Sequence, residues 1–118
     1  MKKQKGWLSG QKKYEIKKLM KRLKEFKRKS KIERVILFGS FARGDFGKDS
    51  DVDLILIDKK FRKKGAFERS KGFWIKWHVK HKIPYPVDFL CYTPEEFEEK
   101  RKRIGIVSES VEEGVEIF

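Results

Sequence analysis

Three aspartates and a glycine–serine pair carry the chemistry that this chain of 118 residues could perform. Gly39-Ser40-Phe41-Ala42-Arg43-Gly44 is followed by Ser50-Asp51-Val52-Asp53-Leu54, and Val87-Asp88-Phe89-Leu90 stands farther on. Gly39 ends the apolar run Val35-Ile36-Leu37-Phe38 and lets backbone approach a phosphate with no Cβ in the way. Ser40 adds a hydroxyl, and a short helix opening at Phe41-Ala42-Arg43 would aim free N–H groups at the anion, so that a triphosphate could be held. A glycine–serine pair alone is more often an ordinary tight turn, and the acids change that balance. Asp51 and Asp53 are two apart, so on a strand they project from one face while Val52, Leu54 and Leu56 project from the other.

Two carboxylates held together beside an apolar strand repel each other unless something positive binds between them. Mg²⁺ with oxygen ligands is the usual solution, and it also bridges the phosphate oxygens of ATP or another nucleoside triphosphate. Asp88 joins this pair if its strand lies beside that of Asp53. Three carboxylates support two Mg²⁺ ions, one on the triphosphate and one lowering the pKa of an attacking hydroxyl, with Asp88 as a metal ligand or general base. Taken alone, Asp88 could also be an acid at a strand end paired with Lys or Arg.

The elements that must position these groups follow from periodicity. Residues 1–9 are polar and basic and expected to be frayed, and residues 10–118 form one domain. Tyr14, Ile16, Leu19, Met20, Leu23 and Phe26 recur at helical spacing among lysines to about Lys29, predicting a long amphipathic helix. Val35 to Phe38 and Val52 to Ile57 read as buried strands, and Val87 to Tyr92, after Pro84 and Pro86, as a third. Between them, Ala66 to Lys80 reads as a helix with Phe67, Ser70, Trp74, Trp77 and His78 on one face, widened by Phe73. Thr93-Pro94-Glu95-Glu96 is a helix start, and that helix is expected to reach Glu113 with a break near Gly105. Gly114 would end it before a short strand at Val115 to Phe118. The predicted fold class is α/β (α+β), a small mixed sheet with helices packed on it.

Thirty-one Lys and Arg against eighteen Asp and Glu leave a formal net charge of +13. That charge favours polyanions such as nucleotides, nucleic acid or acidic surfaces, although a thermophile-like surface accounts for it equally well. The single Cys91 excludes an intrachain disulfide and a cysteine-based zinc site. No apolar run approaches the ~20 residues of a membrane span. With no signal-peptide pattern at the N-terminus, a cytoplasmic protein is expected.

Gly39-Ser40, ten intervening residues, and Asp51-Val52-Asp53 resemble the nucleotidyltransferase signature of the DNA polymerase β superfamily. The longer string from Gly39 to Leu54, with the tail Ser110 to Phe118, resembles its small archaeal and bacterial branch, the minimal nucleotidyltransferases. The resemblance runs from about Ile32 to the end and implies the polymerase β-like nucleotidyltransferase fold. It implies that Gly39 and Ser40 bind the triphosphate, that Asp51 and Asp53 bind Mg²⁺, and that Asp88 is the third acid. Arg43 matches the family's arginine, in the phosphate pocket or bracing the turn. It further implies a small helical HEPN-type partner in a toxin–antitoxin pair, with AMP moved from ATP to a hydroxyl of that partner.

Three competing readings remain. Transfer could go to a small molecule or an RNA end, for which a homo-oligomer would have to complete the pocket. The chain could neutralise a partner by occlusion without catalysis. Its basic face could bind nucleic acid, the less favoured partner, with a steep salt dependence. The aromatic stretch Phe73, Trp74, Trp77, His78, His81 and Tyr85 reads as part core and part partner surface rather than a base-stacking platform. His78 and His81 lack a third ligand of matching type for a metal site. Trp7 is expected to pack at the start of the first helix, and Cys91 to be a small buried side chain.

Overall fold

A computed structural model describes residues 10–103, 105 and 112–118. Helix α1 (Gly10–Ser30) leads into strand β1 (Arg34–Phe38), the four-residue helix α2 (Ser40–Arg43) and strand β2 (Val52–Ile57). Helix α3 (Ala66–Ile75), strand β3 (Val87–Tyr92), helix α4 (Pro94–Arg101) and strand β4 (Val115–Ile117) complete the order. The sheet runs β3-β2-β1-β4, with β1 antiparallel to both β2 and β4 and β3 parallel to β2. This is the mixed sheet with packed helices that the sequence pattern requires. No helix among the described residues is long and apolar enough to cross a membrane. Residues 1–9, with Trp7, and most of the segment before Glu112 lie outside the described residues.

Both faces of the central strands are covered, which is why β1 and β2 read as unbroken apolar runs rather than alternating ones. Val35, Leu37, Val52, Leu54 and Leu56 face α1 and α3 in the larger core, while Ile36, Phe38, Ile55 and Ile57 face Phe97 of α4. Helix α1 buries Ile16, Leu19, Leu23 and Phe26, a stripe at spacings of three and four. Phe26 is the hub, meeting Phe73, Trp77, His81 and Phe89 ring to ring at 5.5–6.3 Å. Truncating it to alanine would open a cavity costing roughly 3–5 kcal/mol. Tyr14, placed on that stripe by spacing, instead points to solvent at 62% exposure.

The segment from Ala66 differs from the periodic expectation. It is α-helical to Ile75 and then π-helical from Lys76 to Lys80, so the rotation per residue changes midway. Its buried pair is Phe73 and Trp77, whereas Phe67 and Trp74 are exposed. The indole N–H of Trp77 donates to the Tyr85 carbonyl at 2.8 Å, which removes the polar cost of burying that ring. The rings of His78 and His81 lie against different aromatics, Trp74 and Phe26. Helix α4 ends at Arg101, just ahead of the break expected near Gly105, and Glu112 and Glu113 are helical; residues 104 and 106–111 between them lie outside the described residues.

Thr93 and Glu96 close α4 with a reciprocal capping box: the Thr93 hydroxyl accepts from the Glu96 N–H at 3.2 Å, and Glu96 accepts from the Thr93 N–H at 2.8 Å. Arg69 of α3 donates to Glu96 at 2.6 and 3.2 Å and to the Cys91 carbonyl at 3.0 Å, tying α3, β3 and α4 at one point. The Arg69 guanidinium, then the Thr93 N–H, hold the Glu96 carboxyl down at about 2. A carboxyl depressed in the folded state stabilises the fold above its ordinary value of 4.5, and this stabilisation is lost as pH falls toward 2. Glu96→Gln is therefore expected to lower stability near neutral pH by roughly 1 kcal/mol, discounted for the partial exposure of the pair. It should also flatten the loss of stability between pH 4.5 and 2, measured by urea unfolding across that range.

Candidate active site

Strand pairing brings the three aspartates to one end of the sheet. Asp53 is the Cα partner of Phe38 across the β1–β2 ladder and of Asp88 across the β2–β3 ladder. It alternates with Val52 and Leu54, so its carboxylate lies on the same sheet face as Ile55, Ile57 and Phe97. Strand β2 begins at Val52, so Asp51 sits just before the strand rather than on it. All three aspartates nevertheless line one open cleft of about 640 Å³, together with Gly39, Ser40 and Arg43. The six residues assigned from the sequence to phosphate and metal thus line the same cavity. Asp53 is half-buried, whereas Asp51 and Asp88 are exposed, which differs from the expected acid inside an apolar strand at Asp88.

The turn after β1 is built around the Asp53 carboxylate. Gly39 has φ 77° and ψ −156°, a conformation that side chains rarely tolerate. A Cβ on Gly39 would lie 2.2 Å from Asp53 Oδ2. Ser40 then opens α2, whose first N–H groups have no acceptor within the helix. Phe41 explains its own bulk: it is buried, stacks on Phe46 at 4.3 Å and meets Tyr85 at 5.2 Å, pinning α2 to the core. In the loop before β2, Ser50 Oγ accepts from the Gly47 N–H at 2.8 Å.

The electrostatics are those of a place short of positive charge. Burial first, then the charges of Asp88 and Asp51, push the Asp53 carboxyl above its ordinary value, and Arg43 counters this only in part. Arg43 is itself engaged, with Nε donating to Asp45 at 3.1 Å and Nη1 to Glu113 at 3.5 Å. Hydrogen bonding to Asp45 comes first among the causes that raise its pKa. An arginine braced in this way holds its charge beside the cleft without neutralising the aspartates.

The donor set fits Mg²⁺: all-oxygen, acidic, open, and backed by a glycine that leaves room against Asp53. Among the described residues no three His, Cys, Asp or Glu side chains converge into a ready-made cage. Mg²⁺ is typically held by one or two carboxylates and completed by water and substrate phosphates. By contrast, the buried Asp58 is structural, because it accepts from the Glu33 N–H at 3.0 Å and the Lys60 N–H at 2.9 Å. Half-burial raises the Cys91 thiol to about 12, so it is no nucleophile at neutral pH.

Residues outside the sequence signature complete the cavity. Leu90 and Tyr92 continue from Asp88 along the same face of β3 and, with Phe38, give the cleft an apolar floor. Two-residue alternation from Asp88 was the available signal for both. Glu113 also lines the cleft; it falls in the tail that carries the resemblance but was not assigned to the site, being 60 residues from Asp53 and brought there by the chain's return before β4.

The architecture and the cleft match those of a nucleotidyltransferase domain. The profile of the nucleotidyltransferase domain family matches residues 19–112, and the chain belongs to that family. Two Methanocaldococcus jannaschii proteins, each described as a candidate protein adenylyltransferase, are 51% and 43% identical to it over 43 residues. Those stretches cover 31% of this chain and 43% of each relative, so the match spans less than half the length of these curated relatives. The crystal structure of a candidate nucleotidyltransferase from Sulfolobus solfataricus aligns with a TM-score of 0.56 and 26% identity, covering 80% of this chain and 85% of that one.

Gly39→Ala is expected to cost roughly 1–3 kcal/mol for the backbone conformation alone. The new methyl would also displace the Asp53 carboxylate. Asp53→Asn should act in the opposite direction and raise the melting temperature in chelator, because it removes a charge that the fold disfavours. Differential scanning calorimetry of the two variants in metal-free buffer checks both signs.

Proposed function

We propose that this chain is a Mg²⁺-dependent adenylyltransferase that moves AMP from ATP onto a hydroxyl of a partner protein. The observation that carries the proposal is that Asp51, Asp53 and Asp88 line one open cleft together with the Gly39–Ser40 turn. The relatives described as candidate protein adenylyltransferases support the choice of donor and acceptor class. Resemblance to the minimal nucleotidyltransferases supports a small helical HEPN-type protein as the partner, and a toxin–antitoxin pair as the setting. Mg²⁺ and ATP as reactants suit a cytoplasmic location.

In this scheme the Gly39 backbone and the Ser40 hydroxyl receive the β- and γ-phosphates, with the Arg43 charge beside them. Mg²⁺ at Asp51 and Asp53, and a second ion shared with Asp88, would supply charge neutralisation for the triphosphate and acidify the attacking hydroxyl. Asp51 and Asp53 fix the triphosphate end of the cleft. Asp88, the exposed carboxylate on the outer strand, receives the acceptor proton. The acceptor oxygen bonds to the α-phosphorus, the bond from that phosphorus to the bridging oxygen of the β-phosphate breaks, and pyrophosphate leaves with the electron pair. The product is a phosphodiester between AMP and the acceptor side chain.

The test is transfer of label from α-labelled ATP with Mg²⁺ in native extract. Asp51→Asn with Asp53→Asn is expected to reduce labelling of a protein band by about a hundredfold or more while the fold persists. Mg²⁺-ATP should raise the melting temperature of the unmutated chain only. Labelling of RNA or of small molecules in place of protein would redirect the acceptor. A partner still neutralised by the unlabelling double variant would favour occlusion.

A further inference from the structure

On the other side of Asp88 from the cleft lies a second groove of about 650 Å³ that the proposed chemistry does not use. Its walls include Phe67, Lys71, Trp74 and Ile75 of α3 and Val87 and Phe89 of β3. Phe67, Trp74 and Ile75 leave 77%, 52% and 53% of their surfaces in water, an aromatic and aliphatic patch that a highly charged domain does not expose without cause. Asp88 lines both cavities, so groove and cleft meet at the residue to which the acceptor proton is assigned.

Strand β3 is an outer strand of the sheet. The carbonyls of Pro86 and Tyr92 accept from the Val52 and Asp58 N–H groups beside them. By alternation, the N–H and C=O of Val87, Phe89 and Cys91 face away from β2. Arg69 occupies the Cys91 carbonyl at 3.0 Å and closes that end. The outward backbone of Val87 and Phe89, which with Asp88 are the strand residues in the groove, is left open among the described residues. An open edge beside an apolar trough is how an added peptide strand is received.

We infer that this edge is the acceptor's docking site: an acidic polypeptide segment adds beside Val87–Phe89, seats an apolar side chain between Phe67, Trp74 and Ile75, and presents its hydroxyl residue to Asp88. The inference deepens the protein-adenylylation reading and rests on it. On an added strand, neighbouring residues point to opposite faces. The α3 groove and the aspartate cleft lie on opposite faces of β3, because Phe89 packs with the larger core and Leu90 with the smaller. The apolar anchor and the hydroxyl residue must therefore be adjacent in the acceptor sequence. The partner's charge follows from this chain's +13, which opposes docking of a second copy and favours an acidic segment.

Two readouts separate this docking from the reaction. The probes are fluorescent acidic hexapeptides with tyrosine next to leucine, or with one residue between them, and anisotropy reports their binding. Labelling from α-labelled ATP, in extract and with the same peptides, reports transfer. The Phe67→Ser, Trp74→Ser double variant changes only exposed side chains, so its melting temperature and ATP affinity should stay as they were. Its binding of the adjacent-pair peptide and its labelling of protein are expected to fall about tenfold or more, the loss of a buried aromatic anchor. The spaced peptide should be labelled more weakly by the unmutated chain. Equal binding by variant and parent, or equal labelling of the two peptides, overturns the docking proposal. So does lower ATP affinity in the variant, which makes the groove a nucleoside subsite, or a dimer that the variant dissociates. Peptide binding that depends on the groove with no protein labelled overturns adenylylation and leaves the groove a peptide site.

Discussion

Gly39 and Asp53 occupy a space in which no Cβ could stand, and the site is organised around that close approach. Pairing of Phe38 with Asp53 sets the level at which β1 ends, and the missing side chain lets the chain turn at once over the carboxylate. The turn then enters α2, which stays in place because Phe41 is buried against Phe46 and Tyr85. A backbone conformation with an intrinsic cost is thus held by aromatic packing behind it, and the Gly39–Ser40 turn and the Asp53 carboxylate become parts of one object.

The same arrangement stores electrostatic tension. Asp53 is partly buried with Asp51 and Asp88 close by, while the nearest arginine divides its hydrogen bonds between Asp45 and Glu113. A chain with a net charge of +13 could have placed a lysine among these acids, as it did at Asp58, where backbone donors and Lys60 meet the carboxylate. The contrast separates an acid satisfied by the protein from acids that it leaves without a compensating cation among the described residues. Stability for the site comes from elsewhere, chiefly from the Phe26-centred aromatic core on the opposite face of the sheet.

Strand β3 joins the aspartate cleft and the apolar groove. Its Asp88, Leu90 and Tyr92 face the cleft, its Val87 and Phe89 face the groove under α3, and Arg69 clamps its far end to α4. A site whose third acid lies on an outer strand is open to a macromolecular acceptor from the side.

Gly39, Ser40, Asp51 and Asp53 were legible from the sequence because their chemistry lies within one strand–turn–strand unit, where two-residue alternation and glycine's conformational freedom are local properties. The strands themselves and the capping box at Thr93 were legible for the same reason. Asp88 was legible as a candidate, but only the parallel pairing of β3 with β2 put it level with Asp53. Helical periodicity misassigned Phe67 and Trp74, because the π-helical turn from Lys76 and the position of Phe26 decide which side of α3 is covered. Glu113, the apolar floor and the groove at the sheet's edge came from contacts between distant segments. Local residue types determined which groups could bind phosphate and metal, and long-range packing decided which of them share a cavity and which surface remains open beside it.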